Sequence, residues 1–383
     1  MHSQPANALC FSDVVHQFEH EVRSHLPYAS HRVLNHIKAC RTADMGGRLW
    51  RCERCKSLKV YYHSCRDRHC PTCGYQATLA WQQARLQDVL PVTYHHLVFT
   101  LPHALNSWVE SHPRRIYQLF YGAVWATLKA FGQNPRRLNG EVGAMVVLHT
   151  WGQALTRHVH LHCLVPGGAL DKQGHWTSAR STYLFPVRAL SRHVRGRMVS
   201  ALRAADKDCA WEPRPAEEVD NVLNELMSHD WVVYSKPVIT RTDTVIAYLA
   251  RYTKRIGISN ARLVKMDDEH VWFRYKDYQS NNENKVMRLD GVELLRRFLL
   301  HVLPKGFMRV RYYGFMANVH RRKKLVQIRV ALAVLVEIAE PGEVRLVKLP
   351  YCAACRLGIL KAVAEIRPNL HSPPTSSRWS LTC

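Results

Sequence analysis

The chain has 383 residues, 47% of them apolar, enough to bury the cores of two or three domains without disulfides. Lys and Arg number 54 against 30 Asp and Glu, giving a net charge of +24 and a pI near 9.8 that favours polyanionic partners, nucleic acid first. The longest apolar run, 330–336, is far shorter than the roughly 20 residues of a bilayer span, and Met1-His2-Ser3-Gln4-Pro5 has no signal-peptide character, so no membrane role and a cytoplasmic location are expected, with the 12 cysteines reduced.

Ser12-Asp13 opens a segment whose apolar residues Val14, Val15, Phe18, Val22 and Leu26 recur at helical spacing, and a second such segment runs from Pro27 to the Gly46-Gly47 break. The string WRCERCKSLKVYYHSCRDRHCPTCG follows, with Cys52-x2-Cys55 and Cys70-x2-Cys73 on either side of 14 residues. Two knuckles at that separation can close a tetrahedral shell, so Cys52, Cys55, Cys70 and Cys73 are expected to hold one structural Zn²⁺. Cys65 and His69 are alternatives for a knuckle thiol, or could begin a second site with Cys40 or His63. Arg51, Arg54, Lys56, Lys59, Arg66 and Arg68 interleave the knuckles and suit a DNA-docking element. An amphipathic helix over 76–90, ended by Pro91, makes the junction to the next domain.

From 94 onward the periods alternate: strand over 94–101, helix 113–131, strand 143–150, strand 158–165, helix 187–205 and strand 231–235, with an extra helix at 217–227. This β-α-β-β-α-β order predicts an α+β fold, an antiparallel ferredoxin-like (split βαβ) sheet backed by helices. Its strand His158-Val159-His160-Leu161-His162 projects three imidazoles to one face, neighbours about 6.5–7 Å apart and the outer two about 13 Å apart. Adjacent histidines can share an ion with a ligand from elsewhere. A helix capped by Thr242 or Asp243 and terminated by Gly257 carries Tyr248 and Tyr252 four apart on one face, flanked by Arg251, Lys254 and Arg255. A phenol with pKa near 10 needs such cations, or a metal-polarised phosphate, to attack at neutral pH. Histidine strand and tyrosine pair together point to enzymatic cutting of a nucleic-acid strand.

Short strands are expected over 261–289 with a turn at Ser280-Asn281-Asn282, a helix over 291–303 stopped by Pro304, and a last helix over 318–338. Its start, His320-Arg321-Arg322-Lys323-Lys324, is expected to contact DNA phosphates through Arg321, Arg322 and Lys324. Cys352-x2-Cys355 is a half-site at best, and the Pro/Ser-rich end beyond Pro368 reads as disordered. The expected units are a helical zinc-binding DNA-recognition domain (1–90), a nuclease core with the tyrosine helix (91–260), a basic β/α DNA-binding extension (261–340) and a tail with the Cys pair (341–383).

Five segments together resemble the two-tyrosine transposases of rolling-circle insertion sequences, members of the HUH (histidine-hydrophobic-histidine) superfamily. They are CRDRHCPTC, HVHLHCLVPGG, YLARYTKR with SNARL after it, FRYKDY at 273–278 and FLLHVLPKGFMRVRYYGF at 298–315. The resemblance covers most of the chain. It implies that His160 and His162 flank Leu161 as the metal motif, that Tyr248 and Tyr252 are nucleophiles, that the catalytic ion is Mg²⁺ or Mn²⁺, and that the N-terminal zinc domain recognises transposon ends. His158, His149 and Gln153 are open choices for the third ligand, with His158 on the same strand. The implied reaction on single-stranded DNA leaves a 5′-phosphotyrosine and a free 3′-OH. The chain has no GxxxxGK[ST] phosphate loop, so strand separation falls to a host helicase or to supercoiling. A non-catalytic zinc-ribbon nucleic-acid-binding protein would explain charge and cysteines but neither histidine strand nor tyrosine pair. A zinc-dependent hydrolase would have no use for the +24 charge.

Overall fold

The computed structural model describes residues 9–24, 26–74, 81–85, 87–179, 184–208, 215–238, 257–277, 282–333 and 351–368. They form a mixed α+β fold with antiparallel sheets. The chain opens with α1 (Phe11–Arg23) and α2 (Tyr28–Ala39), then the hairpin β1 (Gly47–Cys52) and β2 (Leu58–Tyr62). In α1 the residues at helical spacing, Phe11, Val14, Val15, Phe18 and Val22, are all buried, and the Cys10 amide donates to the Asp13 carboxylate at 2.8 Å to fix the first turn.

The central unit runs β3 (Tyr94–Thr100), α3 (Asn106–Ser111), α4 (Pro113–Gly132), β4 (Gly143–Trp151), β5 (Arg157–Pro166), the small hairpin β6 (Gly168–Leu170) and β7 (Trp176–Ser178), α5 (Val187–Lys207), α6 (Ala216–Ser228) and β8 (Val233–Val238). Then come β9 (Leu263–Met266), β10 (His270–Asp277), β11 (Glu283–Asp290), α7 (Gly291–Leu299), β12 (Val310–Gly314), α8 (Arg321–Ala331) and β13 (Leu360–Ile366). Five strands join in the order β12-β4-β5-β3-β8, every neighbouring pair antiparallel. Pro113 sits in the first turn of α4, where its missing N–H has no cost, and Ile116, Phe120, Val124 and Leu128 then fall on one buried stripe. With Leu190, Val194, Met198 and Leu202 of α5 they cover Leu97, Phe99, Val146, Leu148, Val159 and Leu161 from the sheet.

The opposite sheet face is shared. Tyr94, Met145, Val147 and Leu164 at one end pack with Phe315, Met316, Leu325 and Ile328 around α8. The other end carries the histidines. Residues expected in separate units, 1–90 and 261–340, share a further core: α1 and α2 pack on Leu263, Val271, Phe273 and Leu295, and the Phe11 and Phe298 rings lie 4.5 Å apart. A Cβ on Gly291 would stand 2.3 Å from the Phe18 ring, so this approach of α1 to α7 requires glycine. Residues near both chain ends meet in the third sheet, ordered β13-β1-β2. Among the described residues no helix is long and apolar enough to cross a membrane.

Candidate functional site

Alternation along β5 separates its side chains by chemistry. Val159, Leu161 and Cys163 enter the helix-covered core, so His158, His160 and His162 must face the other way. His149 of β4 lies directly opposite His160 in the antiparallel register. The ring centroids of His149, His160 and His162 are 4.5–5.3 Å apart. One ring nitrogen from each can be chosen so that all three lie within 4.8 Å of one another, near the about 4.2 Å diameter of a shell with about 2.1 Å bonds.

The surroundings set the tautomers and charge. His160 Nδ1 is 2.8 Å from the His158 carbonyl oxygen; donating its proton there leaves the lone pair on Nε2. His162 Nδ1 is 2.9 Å from His96 Nε2, and the two rings stack at 5.1 Å. Burial pulls His160 down to about 4, and His96 likewise to about 4 with Lys236 adding to the effect, so both imidazoles are neutral at pH 7, the form that binds cations.

Of the residues left open as third ligand, His149 is grouped with His160 and His162, and His158 is not. Its Nδ1 faces His103 Nε2 at 3.4 Å, and its contribution to the group is the carbonyl that orients His160. Directly opposite residues on neighbouring strands have Cα atoms only about 4.5–5.5 Å apart, which brings His149 onto His160; the His158 ring lies 4.9 Å from that of His160 but turns its Nδ1 to His103. Gln153 lies in the β4–β5 turn, where its carbonyl accepts from Arg262 Nη2 at 2.6 Å.

Tyr248, Tyr252, Arg251, Lys254 and Arg255 lie outside the described residues. The chain re-enters at Gly257, where a Cβ would stand 3.7 Å from Trp151 Cγ. The Trp151 ring stacks on His149, centroids 4.7 Å apart and planes 21° apart. Trp151 thus stands between Gly257 and His149.

The cysteines do not assemble as the sequence suggested. Cys52 and Cys55 are not brought together with Cys70 and Cys73; instead Cys40, Cys65, Cys70 and Cys73 form one group and Cys52, Cys55, Cys352 and Cys355 another, each with its sulfurs within 4.8 Å of one another. The β1–β2 hairpin carries the first knuckle away from the second, and Cys40 at the end of α2 takes its place with Cys65, whose sulfur is 3.6 Å from that of Cys73. His69, an alternative ligand by sequence, holds Asp67 through Nδ1 at 2.9 Å. Burial works to raise the Asp67 carboxyl, but hydrogen bonds from His69 and His36 outweigh it and hold it well below the usual carboxylate range. On α8, Arg321 faces Asp88 at 3.4 Å and Lys324 pairs with Glu141, whereas Arg322 is exposed.

Residues 143–324 match the family model of a putative transposase, and residues 10–101 that of a transposase zinc-binding domain. The putative transposase y4qJ of Sinorhizobium fredii is 38% identical over 378 residues, covering 91% of this chain and 92% of that protein. The chain belongs to this transposase family. The transposase for insertion sequence element IS801 of Pseudomonas savastanoi pv. phaseolicola is 28% identical over 300 residues, 73% of this chain and 68% of its own. No solved structure matches. The transposase match takes in His149, His160 and His162 together with the tyrosine segment, and the zinc-domain match takes in Cys40 through Cys73 but stops far short of Cys352.

Proposed function

We propose that this transposase nicks single-stranded DNA at transposon ends and transfers strands through a 5′-phosphotyrosine, as in rolling-circle transposition. The observation that carries the reading is the convergence of His149, His160 and His162 on the sheet face away from α4 and α5 in a transposase chain. The strand order β8-β3-β5-β4 within a β-α-β-β-α-β path supports the ferredoxin-like HUH core, with β12 added at the edge.

Three imidazoles fit Mg²⁺ poorly and Mn²⁺ or Zn²⁺ well, so of the expected Mg²⁺ or Mn²⁺ the donor set favours Mn²⁺. When bound, the ion supplies Lewis-acid polarisation of the scissile phosphate. His158 and His96 hold the imidazoles in register. Tyr248 or Tyr252 attacks phosphorus: the Tyr Oη–P bond forms, the P–O3′ bond breaks, and the phenolic proton leaves with the 3′-oxygen as a hydroxyl. The second tyrosine can cut another strand in the same way, and a 3′-OH attacking the phosphotyrosine forms a new P–O3′ bond, breaks the Tyr Oη–P bond and returns its proton to the phenol, so no water or nucleotide is consumed. Arg251, Lys254 and Arg255 would stabilise the phenolate and seat the backbone phosphates. Arg322 adds an outlying phosphate contact, while Arg321 and Lys324 must exchange Asp88 and Glu141 for phosphate to join it. A host helicase or supercoiling presents the strand, in the cytoplasm on nucleoid DNA. Zn²⁺ in the N-terminal domain is structural, at Cys40, Cys65, Cys70 and Cys73.

The test is a protein-linked radiolabel after incubation with a single-stranded end oligonucleotide and Mn²⁺, comparing Tyr248→Phe, Tyr252→Phe and the double variant. Adduct in the wild type and none in the double variant is expected. Adduct persisting in the double variant puts the nucleophile elsewhere, and none in the wild type leaves a non-catalytic zinc-ribbon binding protein.

A further inference from the structure

Two similar turns face each other across the third sheet. In the first, the Cys55 amide points at Cys52 Sγ from 3.4 Å, Lys56 takes a φ of 61°, and its amide donates to the Cys52 carbonyl at 3.1 Å. In the second, the Gly358 amide points at Cys355 Sγ from 3.3 Å, Arg356 takes a φ of 59°, and its amide donates to the Cys352 carbonyl at 2.8 Å. Amides aimed at sulfur are the donors a thiolate needs. Antiparallel pairing of β1 with β13 sets the turns face to face.

The sulfurs meet at tetrahedral spacing. Cys52 and Cys355 are 3.7 Å apart and Cys55 and Cys352 3.6 Å apart, far beyond a disulfide's roughly 2.05 Å but close to the roughly 3.8 Å edge of a tetrahedron with about 2.3 Å zinc–sulfur bonds. A Cβ on Gly358 would stand 2.3 Å from Cys52 Sγ, so glycine is required for the two turns to close. Among the described residues the apolar core around them is Cys52, Cys352 and Leu360, with Trp50, Tyr61 and Cys355 at its margin. Five central residues of β13 are exposed. So small a core cannot hold a three-stranded sheet in water without a staple.

We infer that Cys52, Cys55, Cys352 and Cys355 form a second structural Zn²⁺ site, separate from the Cys40, Cys65, Cys70 and Cys73 site, which fastens residues 351–368 to the β1–β2 hairpin. The site lies outside the catalytic reading and stands whether or not the tyrosines attack DNA. It makes the zinc-binding region bipartite: one half of the ligand set comes from inside the matched zinc domain and the other from the far end of the chain.

Elemental analysis of the full-length chain, purified with reductant, tests this. With the histidine group taken out of the count by His160→Ala, the otherwise wild-type chain should carry two zinc ions, and Cys352→Ser/Cys355→Ser and Cys52→Ser/Cys55→Ser on that background should each carry one. A single zinc in the His160→Ala chain, or as much zinc after Cys352→Ser/Cys355→Ser as before it, overturns the site. Should the variants fail to fold, cadmium NMR of the cadmium-substituted wild type decides: two resonances in the four-thiolate range support it, and one overturns it.

Discussion

On β5, residues two apart share surroundings and residues one apart do not. Val159, Leu161, Cys163 and Val165 are sealed beneath α4 and α5, while His158, His160 and His162 occupy the opposite face, where burial lowers the pKa of His158 and His160. The apolar face holds the sheet to its helices and gains free energy from burial. The histidine face gives up stability, because desolvated rings resist protonation, and holds its donors ready for a cation. A strand's period of two lets one segment serve both ends without compromise.

The separation is broken most visibly at His160. His160→Ala should lower adduct formation on the order of 10³-fold or more, the scale of losing a transition-state charge stabiliser. DNA affinity, measured by fluorescence anisotropy, should stay within a few-fold, because it rests on dispersed cations. One residue along, Leu161→Ala should reverse the pattern: a loss of about 2–5 kcal/mol in urea unfolding, with adduct formation per folded molecule unchanged. If both variants lose activity and stability alike, the two faces are not independent.

Smaller effects sharpen the contrast. His96→Ala removes the imidazole on His162 Nδ1 and should weaken Mn²⁺ binding about 10–100-fold in a calorimetric titration, as loss of an outer partner does. Acid should act through the buried histidines, His96 and His160 on this face and His301, whose pKa burial also pulls down to about 4. His96 and His160 have folded pKa values depressed to about 4 by burial, so between about 6.5 and 4 the unfolded chain binds protons that the folded chain refuses. Metal-free protein should therefore lose stability as pH falls through that window, by up to about 1.4 kcal/mol per pH unit for each imidazole. His96→Phe should flatten the slope, and an unchanged slope would assign the acid sensitivity to other groups.

Elements whose cause is local were legible. The strand expected over 158–165 is Arg157–Pro166 and the helix expected over 113–131 is Pro113–Gly132, since hydrophobic period and a first-turn proline act within a few residues. The helix expected over 291–303 stops at Leu299, short of Pro304. What depends on distant partners was not legible. His149 was one of three candidates for the third ligand, and the choice among them rests on strand register, which no period within β5 reveals. Cys352 and Cys355 read as an unmatched pair because their partners are about 300 positions away. Charge on α8 was visible, but Asp88 and Glu141, which engage Arg321 and Lys324, were not. Segment FMRVRYY was read as a motif, and its role as the edge strand beside β4 appears only in the pairing of Val310 with Val147.

The pairing of Cys52 with Leu360 across β1 and β13 sets a clock on synthesis. At about 5–20 residues per second, a ribosome needs roughly 15–60 s to carry the chain from the first knuckle to the second. Throughout that interval Cys52 and Cys55 are thiols without their partners, while Cys40, Cys65, Cys70 and Cys73 emerge within a few seconds of one another. The first ligand set can close soon after Cys73 is made; the second can close only once Cys355 has followed, so a product truncated before residue 352 leaves the ribosome with its β1–β2 hairpin unclasped.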